Sequence, residues 1–225
     1  MAKKLDVDPY TTNPVLAPLL DEIAQVAFTA HAGVNIAISA AVPGATAITG
    51  VTMISNWVWD TPRADLIVRN RNTLKEMGVP DQTIHSFMDN SAFPLSVQTN
   101  FVESLSHLSH VPGAVDAVVL ASTAQSEMQA RFITDAVSML ARYQSRTPLS
   151  SITAKGTVVA RDRSGAIIVA APVDYVSWTK RISYFAHRRD LAAPKRIALL
   201  TGQMSPMAKK HFQALGWTVY ERVSL

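Results

Sequence analysis

Apolar positions recur at intervals of three and four from Val15 onward. Leu16, Leu19, Leu20, Ile23, Val26 and Ala27 share one helical face. Pro18 falls in the first turn, where a missing N–H does little harm. The spacing predicts a helix from Val15 to Ala41. The polar partners then vanish: between Glu22 and Asp60 there is no Asp, Glu, Lys or Arg, and His31 is the one titratable side chain. Pro43-Gly44 breaks the run, and Ala45 to Trp59 predicts a second apolar helix. The stretch 23–59 is therefore expected to form an uncharged helical hairpin.

Two readings of that hairpin stay open. Each arm has about 15–19 residues, borderline for crossing a hydrocarbon core of ~30 Å. Ala30, Ala32, Gly33, Ala37 and Ala40 would let the arms approach closely. Trp57 and Trp59 would suit a membrane interface or a partner surface, with Arg63, Arg69 and Arg71 on the wet side. The same pattern fits a hairpin buried at the centre of a helical domain. The stretch loosely resembles the uncharged hairpin of pore-forming colicins, but only here. Their pore domains are all-helical, whereas this chain ends in β structure, so that resemblance implies nothing for the whole.

Charged, amphipathic helices follow. Thr61-Pro62 starts one that carries Leu66, Ile67 and Leu74 and stops at Gly78. Pro80-Asp81 starts a short one with Ile84, Phe87 and Met88. Pro94 opens a third, with Val97, Phe101, Leu105 and Leu108 on one face. Pro112-Gly113 precedes the longest, about 115–145, with Ala121, Ala124, Met128, Phe132, Met139 and Tyr143 as its expected buried stripe. Glu127, Arg131 and Asp135, spaced by four, lie off that stripe.

The period changes after Thr147-Pro148, and a domain boundary is expected near 147–155. Strands at 157–161 and 166–171 flank the turn Asp162-Arg163-Ser164-Gly165. A helix is expected over Val176–Asp190. Arg196–Leu200 reads as a strand buried on both faces. Ser205-Pro206 caps a helix that ends at Gly216, and Trp217–Val223 is strand again. The expected fold class is α+β: a mainly helical region, 1–150, containing the hairpin 23–59, then a small α/β (ββαβαβ) domain, 151–225. The segment from Ile197 to Tyr220 should be a parallel βαβ unit.

Composition narrows the class. Of 225 residues, 48% are hydrophobic and 17% charged, enough apolar content for a real core and too little charge for a disordered chain. There is no cysteine, which removes disulfides, thiolate nucleophiles and cysteine-ligated metal sites. MAKKLDVDPY lacks the apolar run of a secretory leader as it stands, which favours a cytoplasmic or membrane-associated protein unless a leader has been removed. Asp6-Val7-Asp8 resembles the nucleophile pair of haloacid-dehalogenase-type phosphatases. The strand that must precede it is missing, and Tyr10 stands where a Thr or Val is needed.

Charge changes the picture more. Residues 1–150 carry 9 Lys+Arg against 13 Asp+Glu, and residues 151–225 carry 12 against 4. The basic half should favour an anion: an anionic lipid surface, an acidic protein partner, nucleic acid or a phosphorylated ligand. Lys180, Arg181, Arg188, Arg189, Lys195 and Arg196, with Trp178 and Tyr184 among them, would suit a polyanion, though no nucleic-acid module accompanies them.

Candidate chemistry is sparse. The strand–helix turn at 201–206 offers unpaired N–H groups, and Thr201, Gly202, Ser205 and Lys209 (or Lys210) would suit a phosphate or carboxylate. Asp174 or Ser177 reads as a helix cap. Asp81, His85 and Asp89 share one helix face, and Glu103, His107 and His110 share another. The second set points away from its helix's apolar stripe, and the spacing alone makes both weak metal candidates. No nucleophile elbow is present, and His187 and His211 have no evident Ser or Asp partner. No cofactor is implied. The leading expectation is a non-enzymatic interaction protein at a membrane or membrane-bound partner, with oligomerisation open. Its rivals are an enzyme or sensor holding a small anion at 201–206, and a nucleic-acid-binding protein using the basic half.

Overall fold

The computed structural model describes residues 8–29 and 56–224. Residues 30–55, most of the expected hairpin, lie outside the described residues; its flanks are helices α1 (Leu16–Thr29) and α2 (Asn56–Asp60). The helical half continues with α3 (Arg63–Glu76), α4 (Asp81–Met88), α5 (Leu95–Ser106), α6 (Asp116–Ser122) and α7 (Glu127–Gln144). The β half comprises β1 (Leu149–Ala154), β2 (Val158–Asp162), β3 (Ile167–Ala171), β4 (Tyr175–Val176), α8 (Lys180–Ala186), β5 (Arg196–Leu200), β6 (Gln203–Met204), α9 (Pro206–Ala214) and β7 (Trp217–Tyr220). The chain is thus α+β, with helices followed by a mixed sheet interleaved with helices.

Prolines set the helix starts. Pro62, Pro80 and Pro94 each stand immediately before a helix with extended ψ, where the absent N–H costs no intrahelical bond. Gly78, at φ 78°, ends the α3 turn as its lack of a Cβ permits. Phe87, Phe93 and Phe101 then meet with ring centroids 5.1 to 5.9 Å apart, at the centre of the helical half.

The long helix expected over 115–145 is two helices. Ser126 caps α7 by accepting from Gln129 N–H, and Asn90 Nδ2 donates to the carbonyls of Ala121, Ser122 and Ala124 at the end of α6. A side chain from another element thus supplies the partners that a continued helix would have supplied itself. The break shifts the helical phase. Met128 is 82% exposed, while Ala130, Ile133, Val137 and Leu140 face the core and Asp135 is buried.

The stretch expected as a domain boundary, 147–155, holds strand β1, which pairs antiparallel with β2. It was hidden because Ser150, Ser151 and Thr153 dilute its apolar pattern. The sheet order is β1-β2-β3-β5-β7, with β3–β5 and β5–β7 parallel, so the expected βαβ unit is present. The helix expected from Val176 to Asp190 is shorter. Residues 175–176 pair with 203–204 as a two-stranded parallel ribbon, Trp178 stacks on His211 at 4.3 Å, and Thr179 caps α8. A 3-10 turn at Arg189–Leu191 follows.

One apolar core runs from Leu74 and the phenylalanines through Ile133 and Leu140 to Ile152, Ile168, Ile197 and Leu199. A second fills the opposite face of the sheet: Ile167, Val169, Ala198 and Leu200 beneath Ala186, Ala208, Phe212 and Trp217. The covering layers are offset. On the first face α6 packs on β1 and α7 on β2 and β3, whereas on the second α9 packs on β7. The first face over β5 and β7 is left beside α7 as a groove.

Candidate functional site

The groove has a volume of about 870 Å³, within the range of ligand sites. Met139, Ile197 and Leu199, buried in the first core, and half-buried Val223 line it with apolar groups. Arg222, at φ 56°, turns the chain after β7 so that Val223 N–H bonds Leu200 O at 2.9 Å, which brings Val223 to the groove.

Three separate segments bring cations to it. Arg142 and Arg146, four residues apart, stand at the C-terminal end of α7, where the helix dipole favours positive charge. Arg163 sits on the β2–β3 turn. There Asp162 Oδ1 accepts from Ser164 N (2.8 Å), Ser164 Oγ (2.6 Å) and Ala166 N (3.0 Å), and Gly165 takes φ 85°. Arg163 N–H donates to Pro148 O at 3.2 Å, which ties this turn to the end of α7. Lys195 immediately precedes β5. Among the described residues, none of these four side chains makes a hydrogen bond or ion pair. Among the described residues, Asp162 is the one carboxylate that lines the groove.

Two titratable groups of the groove, Asp162 and Tyr143, are shifted from their ordinary values. Burial alone would push the Asp162 carboxyl up; the hydrogen bonds from Ser164 and the Ala166 N–H, with the nearby Lys195 charge, outweigh it and hold it below the usual range. Burial, then the Asp162 charge 3.5 Å from its hydroxyl, pushes Tyr143 up. Both shifts lead away from neutrality, so neither group is poised to exchange a proton there. Tyr220, half-exposed on β7, completes the wall.

The turn at 201–206 is arranged differently. Thr201 Oγ1 donates to Val173 O at 3.1 Å, and Ser205 Oγ accepts from Ala208 N–H as the cap of α9. Gly202 lies so close to Asp174 that a Cβ there would stand 1.8 Å from its carbonyl oxygen. Lys209 Nζ is 2.6 Å from Glu221 Oε2, and Glu221 Oε1 accepts from Met204 N–H at 2.8 Å. The protein's own carboxylate occupies the place of an external anion. Lys209 first, then the Met204 N–H, hold the Glu221 carboxyl below its usual range. Asp174 and Ser177 precede the ribbon and α8 without capping a helix; Thr179 takes that role.

The remaining expected residues are scattered. Arg69 lies over the Trp57 ring at 4.3 Å and Arg63 over Tyr10 at 5.9 Å; the Trp59 side chain lies outside the described residues. His85 pairs with Asp89 at 3.2 Å, Glu103 with Arg69 at 3.2 Å, and His110 meets Gln144 at 2.9 Å, while His107 caps the end of α5. Among the described residues no three His, Asp or Glu side chains are grouped to hold a metal ion. Of the basic residues singled out in the sequence, Lys195 alone lines the large groove. Arg188 pairs with Asp190 at 2.5 Å, and Arg196 donates to Leu215 O and lies 5.3 Å over Trp217.

Arg142, Arg146 and Arg163 escaped the sequence reading. The first two carry a local signal, an i, i+4 pair at a helix end with no acid four residues away on the same side. Their meeting with Arg163 depends on β1 returning the chain along β2. Comparison with family models, with curated proteins and with solved structures finds no match.

Proposed function

We propose that this protein binds an anionic ligand in the groove between the C-terminal end of α7 and strands β5 and β7. The observation that carries this reading is the convergence of Arg142, Arg146, Arg163 and Lys195, unpaired among the described residues, around one carboxylate already held in its own turn. Like charges gathered at one rim repel one another, and an arriving anion relieves that repulsion while steering electrostatically toward it. The anion reading is kept, with its place moved from the 201–206 turn, where Glu221 already sits, to a groove that takes cations from both halves of the chain.

The test is calorimetric titration with pyrophosphate and citrate, on the wild type and on an Arg146→Glu/Arg163→Glu variant. The wild type should bind, more weakly as salt rises. The variant should lose at least tenfold in affinity, as about 1.4 kcal/mol or more of interaction would give. Its melting temperature should hold, since both side chains are exposed and unpaired. Equal affinity in both proteins defeats the reading.

Association with a membrane or a membrane-bound partner rests on the charge-free stretch 23–59. Among the described residues no helix is long and apolar enough to cross a membrane. Vesicle flotation of the full chain, with and without residues 23–59, tests that association. Gel shift at rising salt tests nucleic-acid binding by the basic half.

A further inference from the structure

The groove brings two chemistries together. Its apolar lining is Met139, Ile197, Leu199 and Val223, and its cations stand at the end of α7, on the β2–β3 turn and before β5. Met139, Ile197 and Leu199 are core side chains, but a purely polar anion would leave half-buried Val223 facing water, and an uncharged apolar molecule would leave four cations facing, among the described residues, one carboxylate. From this, and resting on the anion-binding reading above, we infer that the ligand is an amphipathic phosphate ester: one phosphate group at the cationic rim and an apolar body along β5.

Dimensions agree. From Lys195 to Leu199 the strand advances about 13 Å, so a ligand whose phosphate meets Lys195 and Arg163 has room for its body over Ile197 and Leu199. A volume of about 870 Å³ is far more than inorganic phosphate requires. The guanidinium groups of Arg146 and Arg163 suit a phosphate dianion, because each presents a planar fork of donors matched to its oxygens. The Tyr143 hydroxyl, held neutral by the upward pull on its pKa, faces Asp162 beside the same rim and adds no competing charge.

The experiment titrates the full chain with inorganic phosphate, butyl phosphate, sub-micellar octyl phosphate and octanol. Vesicles containing phosphatidic acid and a single-stranded oligonucleotide form two further arms. Affinity should rise about twofold per methylene for an apolar body half covered by protein, so octyl phosphate should bind at least tenfold more tightly than butyl phosphate. That gain should shrink at least threefold in Val223→Ser, and all phosphate binding should fall in Arg146→Glu/Arg163→Glu. If Val223→Ser fails to fold, the chain-length series on the wild type decides alone. Equal affinity for inorganic and octyl phosphate overturns the amphipathic ligand and leaves the anion reading standing. Octanol binding as well as octyl phosphate overturns the phosphate. Binding confined to vesicles, or to the oligonucleotide, overturns a monomeric ligand. Absence of any binding, or indifference to charge reversal, overturns this inference and the anion reading together.

Discussion

Two places beside the sheet carry the raw materials of an anion site, and they differ in what the fold has done with them. At 201–206 the cap hydroxyl, the Met204 N–H and Lys209 all have partners inside the protein, chiefly Glu221. At the groove Arg142, Arg146, Arg163 and Lys195 have none among the described residues. A donor matched by its own chain stabilises the fold; a donor left unmatched at a concave rim is available to a ligand. The first region should therefore answer to mutation in stability, the second in binding.

The largest expected effect breaks the first region. Gly202→Ala places a Cβ against the Asp174 backbone, which has no flexible end to move aside. The expected loss is about 3 kcal/mol, the upper range for overpacking, read as a lowered denaturation midpoint. A midpoint unchanged within error would show that the ribbon of β4 and β6 is not held as described.

Next comes acid. The Glu221 carboxyl has a depressed pKa in the folded state, so its contribution is present above the unfolded value of about 4.3 and is lost as pH falls through the folded one. Glu127 behaves alike. Burial pushes it up, but hydrogen bonds from Thr12 and Arg131 outweigh that and hold it down, so it too withdraws stability in acid. Stability should thus fall below about pH 4, and Glu221→Gln should flatten part of that fall in a melting series. An unchanged pH profile in that variant would count against the pairing with Lys209.

Smaller still is Lys209→Ala. The pair is partly exposed, so about 0.5 kcal/mol is expected, with no change in groove affinity measured by titration. Smallest in stability is Arg163→Ala, within about 0.5 kcal/mol, yet it should weaken phosphate binding severalfold. Were Lys209→Ala to weaken binding and Arg163→Ala to leave it intact, the assignment of the two regions would be reversed.

Local chemistry made part of this legible. Pro62, Pro80 and Pro94 announce helix starts because a residue without an N–H fits only there. Ser205-Pro206, the Asp162–Gly165 turn and the apolar run of β5 likewise depend on neighbours within a few residues. The split between α6 and α7 was hidden, because Asn90, more than thirty residues away, supplies the bonds that end α6. With that end misplaced, the buried stripe was expected at Met128 instead of Ile133.

By itself, then, the sequence determined the α+β class, the parallel βαβ unit, the Ser205 cap and the basic bias of the second half, since propensity, periodicity and charge are properties of short segments. The tertiary structure alone decided which charges are paired. Glu221 reaches Lys209 only because β7 lies beside α9, and Arg146 nears Arg163 only because β1 folds back on β2. Whether a cation is free for a ligand depends on distances between segments far apart in the chain, and no local pattern encodes them.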